Sequence, residues 1–114
     1  VAPVERFGRW LAGTPKGSIR HLRPRDEAIA AMRRPAPPAL LLFPQYGGPS
    51  DVRPVGAAEV FVRLTQASTN YVALGEPGFA ALSRLVATVP AKAIDYPDTD
   101  AAISRVEALW AALR

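Results

Sequence analysis

The sequence predicts an α/β domain in which short strands alternate with helices, and three features of the chain support this prediction. Residues 39–43 form an unbroken apolar run that is typical of a strand buried on both faces. Residues 91–96 have the alternation of a second strand, and apolar residues recur at helical spacing between and after the two runs. These elements are too few for a complete doubly wound sheet. We therefore expect part of one, carried by a single domain over residues 1–114.

The first part of the chain gives weaker signals. Glycine and proline interrupt residues 1–17, which we expect to be mostly irregular, with no element assigned to residues 1–13. Residues 18–22 are expected to form a short strand, and Asp26 is expected to cap a helix. Residues 35–38, Pro-Ala-Pro-Pro, form a stiff extended connector, because proline fixes its own φ and restricts the residue before it.

The middle of the chain predicts the centre of a sheet followed by a helix. The apolar run at residues 39–43 is expected to be the central strand. Residues 52–55 are expected to form an edge strand, because Pro54 cannot donate a hydrogen bond to a neighbouring strand. A helix is expected from Gly56 onward. Its apolar side is formed by Val60, Phe61, Leu64 and Ala67.

Three further elements are expected toward the C-terminus. Residues 68–70 end the preceding helix, and another helix begins at Glu76 and Pro77, where the missing proline N–H does no harm. After the strand at residues 91–96, Asp98 is expected to cap the last helix. The apolar positions of these two helices are Phe79, Leu82, Leu85, Val86 and Val89, and then Ile103, Val106, Leu109, Trp110 and Leu113.

The composition excludes several classes of site and location. The chain has no cysteine, so it has no disulfide, zinc–thiolate site or thiol nucleophile, which suits a cytoplasmic protein. Its longest apolar run is too short to cross a bilayer, and no signal-peptide pattern is present, so we expect no membrane association. The first residue is Val1 in place of methionine, which is expected if the chain was processed or has an upstream part.

Positive charge is concentrated in the first third of the chain. Residues 1–34 carry eight basic and three acidic side chains, a formal charge of +5, whereas residues 35–114 carry six basic and seven acidic side chains, a formal charge of −1. Such a segment favours phosphate, nucleic acid or an acidic protein surface. The alternative is that these arginines only keep an exposed stretch soluble.

The segment from residue 16 to residue 25, KGSIRHLRPR, holds most of the candidate anion contacts. Lys16 is expected in a loop, where it can reach a phosphate as a flexible point charge. Arg20 and His21 are neighbours in the expected strand and must therefore face opposite sides. His21 either forms a hydrogen bond beside an anion or is tied to a backbone carbonyl. The order Thr-Pro-Lys-Gly-Ser at residues 14–18 is not the phosphate-binding loop G-x-x-x-x-G-K-[ST], in which lysine follows glycine.

Other candidates follow the expected strands and helices. Gln45 and Tyr46 come directly after the apolar run, where ligands of α/β sheets gather, although Tyr46 is equally suited to covering the core. Asn70 and Tyr71 suit a helix C-cap followed by a packed aromatic ring. Three aspartates near residues 95–100 allow a metal interpretation, but two of them are explained as helix-start residues, so we expect no metal site there.

Taken in order, four segments resemble the C-terminal half of HprK-related kinases, which are HPr serine kinase-like proteins of bacteria. They are TPKGSIRHLRP at 14–24, LLFPQYGG at 41–48, residues 52–86, and AKAIDYPDTDAAISRVEAL at 91–109. Lys16, Gly17, His21 and Arg23 match the K-G-x-x-x-H-x-R run of that family, and Asn70 with Tyr71 matches its N-Y pair. The family's F-P-R-Y is F-P-Q-Y here, so Gln45 replaces an arginine.

The resemblance implies a P-loop kinase fold similar to phosphoenolpyruvate carboxykinase, with ATP and Mg²⁺ as cofactors and a peptide or protein as phosphate acceptor. In that family the phosphate-binding loop and its metal-binding acid belong to the N-terminal half. We therefore expect a partial sheet that needs that half or a companion chain. Alone, the chain is expected to be inactive while supplying scaffold and cationic contacts through Lys16 and Arg20 or Arg23.

Two other functions are consistent with the residues. The basic segment at residues 6–34 predicts, as the main alternative, a non-catalytic module that binds nucleic acid or an acidic protein. A partial sheet also leaves an edge through which the chain is expected to self-associate as a homo-oligomer.

Overall fold

The computed structural model describes residues 6–114, which form a small mixed α/β protein with two sheets and four helices. The chain divides into two compact units at the Pro37–Pro38 bond. Each unit is described by itself. The expectation that both form one domain stays a prediction.

The first unit is a β-hairpin followed by a short helix. Strand β1 (Phe7–Thr14) pairs antiparallel with β2 (Gly17–Leu22), and helix α1 spans Asp26–Ala31. The strand β2 was predicted, whereas the irregular structure expected across residues 7–14 is wrong. Register shifts interrupt β1 between Phe7 and Trp10 and between Leu11 and Thr14, so its side chains do not alternate regularly. Its glycines accommodate bulges in a strand and do not end it.

The turn of the hairpin explains the order Thr-Pro-Lys-Gly. Pro15 suits the second position of a β-turn because its φ is already fixed, and Gly17 has φ +85°, which favours glycine. The Thr14 hydroxyl donates to the carbonyl oxygen of Gly17 and accepts a hydrogen bond from the backbone N–H of Lys16. These residue types are therefore required by the hairpin itself.

Helix α1 begins one residue earlier than a capping Asp26 would place it. The N-cap is Arg25, whose side chain makes no capping hydrogen bond, so the prediction of an Asp26 cap is wrong. Asp26 is the first helical residue and binds Arg23, at 2.7 Å between Oδ1 and Nη1. The acidic side chain still lies near the positive end of the helix dipole.

The second unit is a three-stranded sheet with three helices. Its elements in chain order are β3 (Leu41–Tyr46), β4 (Asp51–Pro54), α2 (Ala57–Ala67), α3 (Tyr71–Thr88), β5 (Ala91–Tyr96) and α4 (Thr99–Ala112). The strand order is β3-β5-β4, with β3 parallel and β4 antiparallel to β5.

The centre of the sheet is β5 and not the apolar run that forms β3. Ala91, Ala93 and Ile94 of β5 are buried, whereas Leu41, Leu42 and Phe43 are only half-buried. The prediction of a central β3 is wrong because β4 returns to pair with β5, which leaves β3 at an edge. The prediction that the strand containing Pro54 lies at an edge is confirmed.

Both outer strands carry a proline that faces away from β5. The backbone groups of successive strand residues face opposite edges. At the two ends of β3, the N–H groups of Leu41 and Gly47 donate to the carbonyl oxygens of Pro90 and Tyr96, each at 2.9 Å. The backbone N–H groups of odd-numbered residues therefore face β5, and the nitrogen of Pro44 faces outward. In β4, Val55 donates to Ala91 O at 3.2 Å, so Pro54 also faces outward. Each proline thus removes a donor from an exposed edge without interrupting the sheet.

Helices α2 and α3 pack through aromatic rings. Phe61 makes edge-to-face contacts with Tyr71 and Phe79, with centroid separations of 6.1 and 5.8 Å, and Val60 beside it is buried. Helix α3 bends at Gly75, which has non-helical angles of φ 58° and ψ −138°. The bend explains why the sequence predicts a helix start at the following residues.

Helix α4 begins as predicted and exposes its apolar face. The backbone N–H of Ala101 donates to Asp98 Oδ1 at 2.8 Å, which confirms Asp98 as the N-cap. The half-buried residues of α4 are Ala101, Ala102, Arg105 and Leu109, whereas four of the five predicted apolar positions are exposed: Ile103, Val106, Trp110 and Leu113. Within residues 6–114, no helix combines the length and the apolar character needed to cross a bilayer.

Candidate functional site

Two tyrosines mark the carboxyl ends of the parallel strands β3 and β5. Tyr46 lies opposite Tyr96 in the register, with ring centroids 5.8 Å apart at 69°. Tyr46 is 71% exposed, so it does not cover the core. The neighbouring Gln45 is also exposed, and its side chain reaches only the Tyr46 carbonyl oxygen at 3.4 Å. Both residues therefore remain available to a ligand at this edge of the sheet.

The loop after β3 is held in place by one backbone hydrogen bond. The N–H of Gly47 donates to the carbonyl oxygen of Tyr96 at 2.9 Å. Gly47 and Gly48 have φ of +100° and +75°, angles that glycine adopts without strain. The glycine pair thus turns the chain at the carboxyl edge and leads it into β4.

Arg53 makes the main charge contacts of this edge and was not among the predicted site residues. Its Nη1 lies 2.7 Å from Asp95 Oδ2 and 3.1 Å from Asp51 Oδ2. The hydrogen bond with Asp95, followed by the one with Asp51, raises the pKa of the Arg53 guanidinium above its ordinary value. The charges of β4 and β5 were visible in the sequence, but their pairing required the register.

The contacts of Asp95 and Asp98 are relevant to whether these aspartates could bind a metal ion. Asp95 is engaged by Arg53, and Asp98 caps α4. In the part of the chain that the structure describes, no group of three or more potential ligands comes together to hold a metal ion. The aspartates of this edge therefore have structural partners of their own.

A small hollow lies between the β3–β4 loop and helix α4. It has a volume of about 250 Å³ and is lined by Ser50, Ala101, Ser104, Arg105 and Ala108. Arg105 donates from Nη2 to Ser50 Oγ at 3.0 Å and has no carboxylate partner among the described residues. The hydrogen bond ties α4 to the loop, and the uncompensated guanidinium gives the hollow a positive character.

Lys16 lies at the tip of the hairpin in the first unit. Its side chain is exposed and makes no ion pair with any described residue. The position agrees with the loop that the sequence predicts. Gly17 beside it has a turn role, as described above, so its identity does not require a ligand.

Arg20 is held by its own hairpin. Its Nε donates to the carbonyl oxygen of Gly8 at 2.9 Å, and its guanidinium carbon lies 4.5 Å from the centroid of the Phe7 ring. The same guanidinium carbon lies 5.4 Å from the centroid of the Trp10 ring. Two cation–π contacts on one guanidinium fix its orientation and leave its charge at the surface. The clustering of Phe7 and Trp10 with Arg20 was not predicted, because β1 was not recognised as a strand.

Arg23 and His21 differ in how far they are engaged. Arg23 is ion-paired with Asp26, and its backbone is tied to Arg6 by a hydrogen bond of 2.7 Å from the Arg23 N–H to the Arg6 carbonyl oxygen. His21 is exposed on β2, and no side-chain hydrogen bond joins it to another described residue. The alternative in which His21 is tied to a backbone carbonyl is therefore not observed.

Asn70 lies at the corner between α2 and α3. It occupies the N-cap position of α3 without a capping side-chain hydrogen bond. Its Oδ1 accepts a hydrogen bond from the Ser68 Oγ at 3.2 Å. The expected C-cap role is wrong, since Ser68 ends α2. The packed aromatic ring expected at Tyr71 is confirmed by its contact with Phe61.

The candidate residues are divided between the two units. Gln45 and Tyr46 lie on the second unit, at the carboxyl edge of its sheet, and Asn70 lies at a helix corner of that unit. The remaining predicted contacts belong to the hairpin of the first unit: Lys16, Gly17, Arg20, His21 and Arg23. No family model, curated protein or solved structure that we compared with this chain matches it.

Proposed function

We propose that this chain is the C-terminal part of an HprK-like, ATP-dependent serine kinase, to which it contributes scaffold and cationic phosphate contacts. The proposal rests on the ordered resemblance of the four segments, with Lys16 exposed at a hairpin tip and with Tyr46 and Gln45 exposed at a carboxyl edge. Transfer of a phosphoryl group depends mainly on positioning and charge. Contacts of this kind therefore contribute only when the rest of the active site holds the nucleotide.

The observation that most favours a partial kinase is the small number of buried apolar residues in the second unit. Parallel strands usually occur in sheets covered on both faces, and here β3 pairs in parallel with β5. Among the described residues, only Val60, Ala91, Ala93 and Ile94 are buried apolar residues. A parallel pair with so small a core has apolar surface left for further chain to cover.

In this proposal the triphosphate cradle comes from elsewhere. ATP and Mg²⁺ need a glycine-rich loop of backbone N–H groups and a metal-binding acid, which the sequence of this chain does not contain. Of the predicted phosphate contacts, Arg23 is neutralised by Asp26 and Arg20 is held against Phe7. Lys16 is therefore the side chain that we expect to reach a phosphate in the complete enzyme.

Calorimetric titration of the chain with Mg-ATP tests whether the triphosphate cradle is absent from this chain. We expect no binding at micromolar concentrations, and a micromolar dissociation constant for the chain alone would contradict the proposal.

Whether the chain contributes to an active kinase is tested by complementation with an N-terminal half. The chain is combined with an N-terminal half from an HprK-related kinase, and ATP hydrolysis is measured. Lys16→Ala is expected to lower kcat at least about tenfold, the loss of one charge contact in a transition state. The matched control, Lys92→Ala on β5, is expected to leave the rate unchanged. Equal effects of both variants, or no hydrolysis by the combination, would rule the proposal out.

The hairpin supports a second candidate, a surface that binds single-stranded nucleic acid. Trp10 is 65% exposed and Phe7 is also exposed, and the guanidinium of Arg20 lies over both rings. Aromatic faces beside cations are the usual platform for unpaired bases. The hairpin therefore places two exposed aromatic rings beside a positive charge of the basic segment.

Fluorescence anisotropy with a labelled single-stranded RNA tests this candidate. Affinity is expected to fall steeply with salt, by roughly 0.7 log units per log unit of salt for each phosphate neutralised. Trp10→Ala is expected to weaken binding about tenfold, whereas Trp110→Ala in the other unit serves as control. A response that is flat in salt would remove this candidate.

A further inference from the structure

Helix α4 has two faces, and the apolar one is directed away from the rest of its unit. The half-buried residues are Ala101, Ala102, Arg105 and Leu109, and they lie on the side of the helix that packs near β5. The large apolar residues that are exposed are Ile103, Val106, Trp110 and Leu113, at 52%, 36%, 48% and 43%. We call these four residues the α4 stripe.

The α4 stripe has the spacing of a two-helix seam. Its residues are separated by three, four and three positions, the pattern with which helices pair side by side. This spacing reads the same in both directions. An antiparallel copy of the helix can therefore place its own stripe against the first, with Ile103 opposite Leu113 and Val106 opposite Trp110.

We propose that the α4 stripe is a homodimer interface, in which α4 packs antiparallel against α4 of a second copy of this chain. Such an interface is isologous, so each residue contact occurs twice and the assembly closes at two copies. This inference does not depend on the proposed kinase or nucleic-acid function.

The charges beside the stripe specify the second copy and its direction. Asp100 and Glu107 lie seven residues apart along one flank of the helix, and Arg114 follows seven residues later, just beyond the last helical residue Ala112. In the antiparallel pairing, Arg114 of each copy lies beside Asp100 of the other, which gives two opposite-charge pairs, against one like-charge pair of Glu107 with itself. Asp100 has no ion-pair partner among the described residues, and Arg114 lies over the Trp110 ring at 5.6 Å, at the end of the stripe.

The dipoles of the two helices favour the same direction. In an antiparallel pair, the negative C-terminal end of each helix lies beside the positive N-terminal end of the other. In a parallel pair, Asp100 of one helix and Arg114 of the other would lie at opposite ends of the seam and could not form an ion pair. The stripe is short, so we expect a weak dimer with a dissociation constant on the order of 10 μM, near the micromolar end of the range for protein interfaces.

Sedimentation equilibrium from about 1 to 200 μM, a range that brackets that value, tests the proposal. The chain is expected to convert from monomer to dimer within it. Trp110→Asp is expected to remain monomeric, whereas Val72→Asp, at a 91% exposed position on α3, is expected to dimerise like the parent chain. A monomeric parent chain, or dimerisation of the Trp110→Asp variant, would overturn the proposal.

Disulfide trapping tests the direction of the pair, and the chain is suited to it because it has no cysteine. Ile103→Cys and Leu113→Cys variants are oxidised with oxidised glutathione, singly and mixed. We expect the mixture to form a disulfide dimer that joins the two variants, and each variant alone to form little. Equal trapping of Ile103→Cys alone would show another direction and contradict the proposal.

A charge exchange separates the ionic contribution from simple apolar association. Arg114→Glu is expected to weaken dimerisation by about fivefold, since two opposite-charge pairs at the surface become like-charge pairs. Combining it with Asp100→Arg restores opposite charges and is expected to recover the parent affinity. Failure of the exchange to recover affinity would count against the antiparallel register.

Discussion

Pro44 and Pro54 lie on the two outer strands of the three-stranded sheet, and both prolines face away from the central strand β5. An exposed edge is a template for another strand, because its N–H and C=O groups are unpaired. Each proline removes one donor from such an edge at no cost to the existing hydrogen bonds. The sheet therefore disfavours growth through either edge, which is consistent with the proposed pairing through helix α4.

Replacing both prolines with threonine tests this role. Threonine supplies the missing N–H and favours strand conformation, so the Pro44→Thr/Pro54→Thr variant is expected to form large assemblies at concentrations where the parent chain does not. Light scattering and thioflavin T fluorescence measure the outcome. Pro49→Thr, in the loop between the two strands, is the control. A double variant that scatters no more than this control would show that the edges are protected by other means.

Prediction from the sequence succeeded where the local pattern determines the structure. The alternation of residues 91–96 gave β5 with its correct bounds, and Asp98 was identified as a cap because capping depends on neighbouring residues. It failed where distant pairing decides. The register of β1 against β2 is interrupted, so the sequence of β1 does not show a regular alternation. Strand β5 is central, and β3 lies at an edge, because β4 pairs with β5.

The candidate site divides in the same way. Lys16 is exposed in a turn as predicted, whereas Gln45 and Tyr46, which were expected in a loop after the strand, are exposed as the last two residues of β3. The contacts of Arg53 with Asp95 and of Arg20 with Phe7 join residues that are far apart in the chain or lie on an unrecognised strand. Only the register of the sheets brings them together.

Ile94 lies at the centre of the small core, so shortening it should destabilise the second unit strongly. It is 2% exposed on β5, and Ile94→Ala is expected to lower the free energy of unfolding by about 2–4 kcal/mol through lost burial and a residual cavity. Urea unfolding followed by circular dichroism measures the change. Val72→Ala, at an exposed position, should change it by less than about 0.5 kcal/mol. Equal losses in the two variants would contradict the assignment of the core.

Gly75 allows the bend in α3, because its angles of φ 58° and ψ −138° are poorly accessible to other residues. A Cβ added there meets no atom within 4 Å, so the cost of substitution is conformational and not steric. Gly75→Ala is expected to lower the free energy of unfolding by about 1–3 kcal/mol.

Thermal and urea unfolding of Gly75→Ala measure this cost. Gly56→Ala is the matched control, since Gly56 has φ −70° and its added Cβ also meets no atom. We expect the control to lose only about 0.5–1 kcal/mol, because alanine is a poorer N-cap residue than glycine, and Gly75→Ala to lose more. If both variants were equally stable, the bend at Gly75 would not be required by the fold.

Asp98 connects the end of β5 to the start of α4, the helix that carries the proposed dimer interface. Asp98→Ala removes the acceptor of the Ala101 N–H and is expected to lower the free energy of unfolding by about 1 kcal/mol, whereas Asp98→Asn keeps an acceptor and should lose much less. Because fraying of the first turn displaces Asp100, we also expect Asp98→Ala to weaken the α4 pairing. Sedimentation and urea unfolding of the same samples measure both effects. If Asp98→Asn were as destabilised as Asp98→Ala, the capping hydrogen bond would not be the cause.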